Sequence, residues 1–123
     1  MIKYLELEDA IQLVGAVGFY VKDLGLLDSA LARPKTSIFG EDAYVTLELK
    51  CAALMHSVIK NHPMIDGNKR TAWILMVTFM ALNGLDVQMS TANGMKLTIG
   101  LATDELTLDQ AAELIKKHLV PRS

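Results

Sequence analysis

The sequence predicts an all-α protein, a compact helical bundle packed around one central apolar helix. Three observations carry that prediction. Residues 72–82 read AWILMVTFMAL, in which Thr78 is the only polar side chain. A helix that is apolar on every side belongs inside a bundle, and the length and the Ala, Leu and Met content disfavour a buried strand. Residues 46–61 place Leu47, Cys51, Leu54, Met55, Val58 and Ile59 on one face at helical spacing. Thr107-Leu108-Asp109-Gln110 is a capping-box pattern that opens a further helix. A chain of 123 residues with 51% apolar content suits one domain with one core, so 1–123 is read as a single domain.

In chain order, the first helix is expected over residues 7–20, with Glu6 or Glu8 at its positive end. Gly15 and Gly18 weaken it but permit a close helix contact. Residues 21–25 form a turn, and Asp28 caps a short helix over 29–32 that Arg33-Pro34 terminates. Residues 35–44, centred on Phe39-Gly40, read as irregular: either a plain connection or a lid that orders when substrate binds. The helix over 46–61 delivers His62 at its end, because Pro63 bars His62 from helical geometry.

The central helix spans residues 68–83 and stops at Asn83-Gly84. Residues 85–89 form a short extended piece. Ser90 or Thr91 caps a helix to about Ala102 with Met95, Ile99 and Ala102 inward. The last helix buries Leu108, Ala111, Ala112, Ile115 and Leu119, while Lys116, Lys117 and His118 complement its negative end. The tail, 119–123, partly resembles a protease-site remnant and is given no functional weight.

Several classes are excluded early. A net charge of −2 argues against general nucleic-acid binding or a membrane surface. The longest apolar run, residues 72–77, is too short to span a bilayer. The acidic start MIKYLELEDA does not read as a signal peptide, and the expected location is cytoplasmic. Cys51 is the only cysteine, which leaves no intrachain disulfide or thiol cluster, and its apolar face marks it as a buried hydrophobe.

The chemistry is concentrated in nine residues, His62 to Arg70. A helix that starts at Asn68 offers unpaired N–H groups and a positive dipole end to a phosphate. Lys69 and Arg70 add cations there, Asp66 is a hard oxygen ligand for Mg²⁺, and His62 is a candidate general base. Base, metal ligand, anion cradle and clamp together suit phosphoryl or nucleotidyl transfer. Each residue alone also has a plain reading. His62 can simply end a helix, Asp66-Gly67 can be an ordinary turn, and Lys69-Arg70 an ordinary solvated pair. His56 and His118 lack this context and read as surface or packing residues.

The string His62-Pro63-Met64-Ile65-Asp66-Gly67-Asn68-Lys69-Arg70-Thr71-Ala72 resembles the motif of the Fic/Doc superfamily, specifically its death-on-curing (Doc) branch. The broader Fic signature is His-x-Phe-x-Asp/Glu-Gly-Asn-Gly-Arg, with a second Arg at the position held here by Trp73. Doc proteins have Lys where Lys69 stands and lack that second Arg. Met64 replaces the usual Phe; both fill core space, so the same fold and chemistry are expected. Val21-Lys22-Asp23 and residues 26–34, LLDSALARP, are similar to the same branch. The likeness covers roughly residues 21–119.

The resemblance implies a helical Fic/Doc-like fold and a toxin that transfers the γ-phosphate of ATP to a threonine of elongation factor Tu, blocking translation. In those terms His62 is the general base and Asp66 holds Mg²⁺, while Gly67, Asn68, Lys69 and Arg70 bind the nucleotide and stabilise its phosphate charge. Lys69 fills space that an AMP-transferring site leaves open and supplies an ammonium suited to a phosphate. The resemblance also implies inhibition in trans by a prevent-host-death-type antitoxin whose disordered tail folds onto an apolar, partly exposed groove beside the motif. Self-inhibition is not expected, since Ser37 to Glu41 has the spacing of the inhibitory motif but is followed by Asp42. The alternatives are a Fic-type nucleotidyltransferase and a catalytically silent antitoxin-binding module.

Overall fold

The computed structural model describes residues 1–123. Six helices are ordered along the chain: α1 Leu7–Ala16, α2 Leu24–Ala32, α3 Leu47–Asn61, α4 Asn68–Leu82, α5 Thr91–Thr103 and α6 Leu108–Lys116. Two small antiparallel pairs accompany them: β1 Ser37–Ile38 with β2 Glu41–Asp42, and β3 Leu85–Val87 with β4 Leu119–Pro121. No helix is long and apolar enough to cross a membrane.

The bundle is the one predicted, with its centre shifted by one helix. It is α3 that packs against α2, α4, α5 and α6, and its residues Lys50 to Met55 are buried without a break. Small side chains at Cys51, Ala52 and Ala53 let neighbours close in on every side. The Cys51 thiol is fully enclosed, and burial, then the Glu48 charge, holds it well above its usual pKa. On α4 the buried residues are Thr71, Ala72, Leu75, Met76, Phe79 and Met80, while Trp73, Ile74 and Val77 stay half-buried. Part of its apolar circumference therefore lies outside the core, and Trp73 borders a cleft.

Capping explains most element boundaries. Thr46, Ser90 and Thr107 each accept an N–H from the first turn of their helices, and Gln110 completes the capping box. The first half of the chain departs from expectation. Helix α1 ends at Ala16, because the chain turns through Gly18 at φ +89°. Helix α2 starts five residues earlier than Ser29 (29 − 24), since Asp23 rather than Asp28 is its cap and accepts the Leu26 N–H. Residues 35–44 are not irregular: they hold the β1–β2 hairpin, turned by Phe39 and Gly40, both at positive φ. The hairpin is pinned to α3 by Lys50, whose buried ammonium donates to the Pro34 carbonyl and the Asp42 carboxylate.

The C-terminal half brings two further corrections. Residues 119–121 pair with 85–87, and the Arg122 N–H donates to the Gly84 carbonyl, so Leu119 lies half-buried on a strand rather than on the buried stripe of the last helix. On α5 the inward residues are Leu97, Thr98, Gly100 and Leu101, whereas Met95 and Ile99 are exposed and Ala102 half-buried. His118 is a packing residue, its ring meeting the Leu114 carbonyl and Asn93. His56 belongs to a polar cluster: Arg33 donates to its Nδ1 at 2.9 Å and also to Tyr44, Ser57 and the Ala53 carbonyl.

Candidate functional site

Between α3 and α4 the loop 62–67 is held in a form that no ordinary turn gives. His62 ends α3 at φ +51°, ψ +57°, the left-handed region that Pro63 leaves open once helical geometry is denied. Pro63 and Met64 then dip into the core, Met64 with no exposed surface. Met64 thus fills core space, as expected of a Phe replacement. The extended segment at Val21 pairs with Met64, and Lys22 and Asp23 donate their N–H groups to the Pro63 carbonyl. The Val-Lys-Asp stretch noticed in the sequence is therefore the brace of the loop.

Two residues fix the transition into α4. The Asn68 side chain accepts the Met64 N–H at 3.0 Å and donates to the Met64 carbonyl at 3.3 Å. Gly67 lies at φ +73°, and a Cβ there would come within 2.6 Å of Phe19 Cδ1. Only glycine satisfies both constraints. The first hydrogen bond of α4 is Thr71 N–H to the Gly67 carbonyl, and no side chain caps the helix. The amides of Asn68, Lys69 and Arg70 are consequently open at the positive end of the helix.

A cleft of about 1000 Å³ opens over this helix start. It is lined by all six residues singled out from the sequence: His62, Asp66, Gly67, Asn68, Lys69 and Arg70. His62, Asp66, Lys69 and Arg70 are solvent-exposed, and none of them is engaged in an ion pair. Asp66 accepts the Gly67 N–H at 2.7 Å through Oδ1, which leaves Oδ2 free. No cluster of three or more His, Cys, Asp or Glu side chains exists in the chain. Any cation here would meet one carboxylate and take its remaining ligands from water and phosphate, a mode that suits Mg²⁺.

The rest of the lining was missed in the sequence. Phe19, Trp73, Met89, Gly94, Met95 and Ile99 line the cleft together with Ser90, Thr91 and Thr98. Spacing alone puts Met95 and Ile99 inward, because a cleft wall and a core face carry the same helical periodicity. Phe19 had no sequence signal at all. The hairpin 37–42, read as a possible lid, contributes no lining residue.

The fold and the cleft together define a small helical domain whose one elaborated loop presents a histidine, a carboxylate and an uncapped, cation-flanked helix start to a nucleotide-sized space. The chain matches the family model described as Fic/DOC family over residues 3–80. It is also 41% identical over 121 residues to a protein named Toxin Doc from Mycolicibacterium smegmatis, an alignment that covers 93% of this chain and 92% of that relative. The chain belongs to the Fic/DOC family.

Proposed function

We propose that this protein is a Doc-like toxin that transfers the γ-phosphate of ATP to a hydroxyl, of the threonine kind, on a translation factor such as elongation factor Tu. The observation that carries the reading is the convergence of His62, Asp66, Lys69 and Arg70 with three open amides on one cleft. His62 takes the proton of the acceptor hydroxyl. The acceptor oxygen bonds to the γ-phosphorus as the bond to the β,γ-bridging oxygen breaks, and ADP leaves. Lys69, Arg70 and the helix-start amides meet the charge on the phosphate oxygens. Asp66 would hold Mg²⁺, which supplies charge neutralisation across the phosphates. Asn68 serves through its backbone amide, since its side chain is committed to Met64.

A prevent-host-death-type antitoxin is the matching regulator. Tyr20 and Ile65 are 67% and 68% exposed and are joined by an Ile65 N–H to Tyr20 carbonyl bond. They supply apolar surface beside the loop of the kind such a tail would cover.

The experiment is transfer to purified elongation factor Tu from ATP labelled at either the α- or the γ-phosphate, with Mg²⁺. Label that arrives only from the γ position is the expected result. Label that arrives from the α position would replace this reading with nucleotidyl transfer.

A further inference from the structure

The cleft has two chemically different ends, and the proposed polyphosphate chemistry occupies only one of them. We infer that Trp73 is a stacking ledge for the base of the nucleotide donor, and that this ledge accepts purines without reading their edges; the inference rests on the proposed nucleotide-dependent reading of the cleft. Lys69 and Trp73 are four residues apart on α4 and so share a face, roughly 6 Å apart along the axis. A ribose bridges a separation of that order. A nucleotide with its base on Trp73 therefore runs its phosphates to Lys69 and the open amides, and its terminal phosphate toward the loop that carries His62.

Gly94 makes the ledge possible. A Cβ on Gly94 would stand 3.3 Å from Trp73 Cζ3 and 3.5 Å from Cη2, tighter than an ordinary contact, so the bare backbone lets the indole lie back against α5. The ring is half-buried, borders the cleft and has α5 packed against it at Gly94. Met95 and Ile99, 55% and 43% exposed, extend the same apolar wall.

The polar groups on this wall are few, and only the Thr91 side chain is without a hydrogen bond in the fold. Thr98 donates its hydroxyl to the Gly94 carbonyl, with Met95 as a second acceptor. Ser90 Oγ accepts the Asn93 N–H as the cap of α5. No amide or charged side chain from α5 lines this end of the cleft. Stacking without edge contacts tolerates different bases, because every base has a π face.

Trp73 is the only tryptophan in the chain, so its fluorescence reports on the ledge directly. The wild-type protein is titrated with ATP, with GTP and with inorganic tripolyphosphate, and affinities are measured in parallel by calorimetry. The expected result is saturable quenching by both purine nucleotides at affinities within a few-fold of each other, and binding of tripolyphosphate without quenching. Trp73→Ala should weaken ATP binding by about tenfold and leave tripolyphosphate affinity unchanged, while Trp73→Phe keeps most of the ATP affinity. Equal ATP affinity in wild type and Trp73→Ala would overturn the ledge. So would a parallel loss of tripolyphosphate binding, which would mark Trp73 as merely structural. Either of those results leaves the proposed function standing. Absence of binding by both ATP and tripolyphosphate in the wild type would remove the function and the ledge together.

Discussion

The side-chain amide of Asn68 closes on both backbone polar groups of Met64, accepting its N–H at 3.0 Å and donating to its carbonyl at 3.3 Å. This one side chain ties the floor of the 62–67 loop to the first residue of α4. It works because Asn carries a donor and an acceptor on one planar group. Asn68→Asp keeps the acceptor and loses the donor, and Asn68→Ala loses both. The expected order of transfer activity is wild type, then Asp, then Ala, with the Ala variant at least tenfold down through misplacement of His62 and Asp66. Circular dichroism should show the same helix content in all three. Full activity in Asn68→Ala would remove the positioning role.

Gly67 and Phe19 form the second constraint on the loop. Gly67→Ala meets a left-handed backbone cost of about 1–2 kcal/mol and a collision with the Phe19 ring. In urea unfolding, Gly67→Ala is expected to lose more than that backbone cost alone. Phe19→Ala should relieve part of the loss, so that the double variant is less destabilised than the sum of the singles. Strict additivity would show that the ring contact is energetically silent.

His56 gives a pH dependence separate from any chemistry in the cleft. Its pKa lies below the ordinary 6.5, first through burial and then through the Arg33 guanidinium, with Lys60 adding to the shift and Asp104 opposing it. Tyr44 and Ser57 share the same Arg33 and carry no charge into the contact. The unfolded chain binds more protons between the lowered value and 6.5, so stability rises with pH through that window. The contribution is fully present above 6.5 and is lost as pH falls through the folded value. The wild type should therefore lose more stability than His56→Asn between about pH 7 and pH 5, as read from urea midpoints. Parallel profiles would contradict the assignment.

Thr71 carries the one buried side-chain oxygen that lacks a partner, on the first turn of α4. An isosteric apolar replacement removes that unsatisfied group without opening a cavity. Thr71→Val is expected to be neutral or stabilising by about 1 kcal/mol, measured by thermal or urea unfolding. A clear loss of stability would mean that the hydroxyl has a role the folded chain hides.

What the sequence disclosed and what it withheld follow from the range of the signals. The capping box at Thr107, the helix opened by Thr46 and the start of α4 at Asn68 are local features, and each was legible from a few neighbouring residues. The meeting of His62, Asp66, Gly67, Asn68, Lys69 and Arg70 on one cleft was legible for the same reason, since they lie within nine consecutive residues. The failures were of three kinds. Asp23 and Asp28 are both plausible caps, and packing of Leu27 against the core chooses the earlier one. Pairing of 85–87 with 119–121, and the meeting of Phe19 with Gly67, join distant parts of the chain and leave no local mark. The α5 wall failed for a third reason: Met95 and Ile99 sit on an apolar face in either case, and only the tertiary structure shows that the face borders a cleft.

The central claim is that His62 serves as the base for phosphate transfer to a protein hydroxyl. The most direct test is the intact mass of elongation factor Tu after incubation with this protein, ATP and Mg²⁺, repeated with a correctly folded His62→Ala variant. A phosphate-sized gain that disappears in the variant is the predicted result. An AMP-sized gain, or a phosphate gain that survives in His62→Ala, would contradict the account.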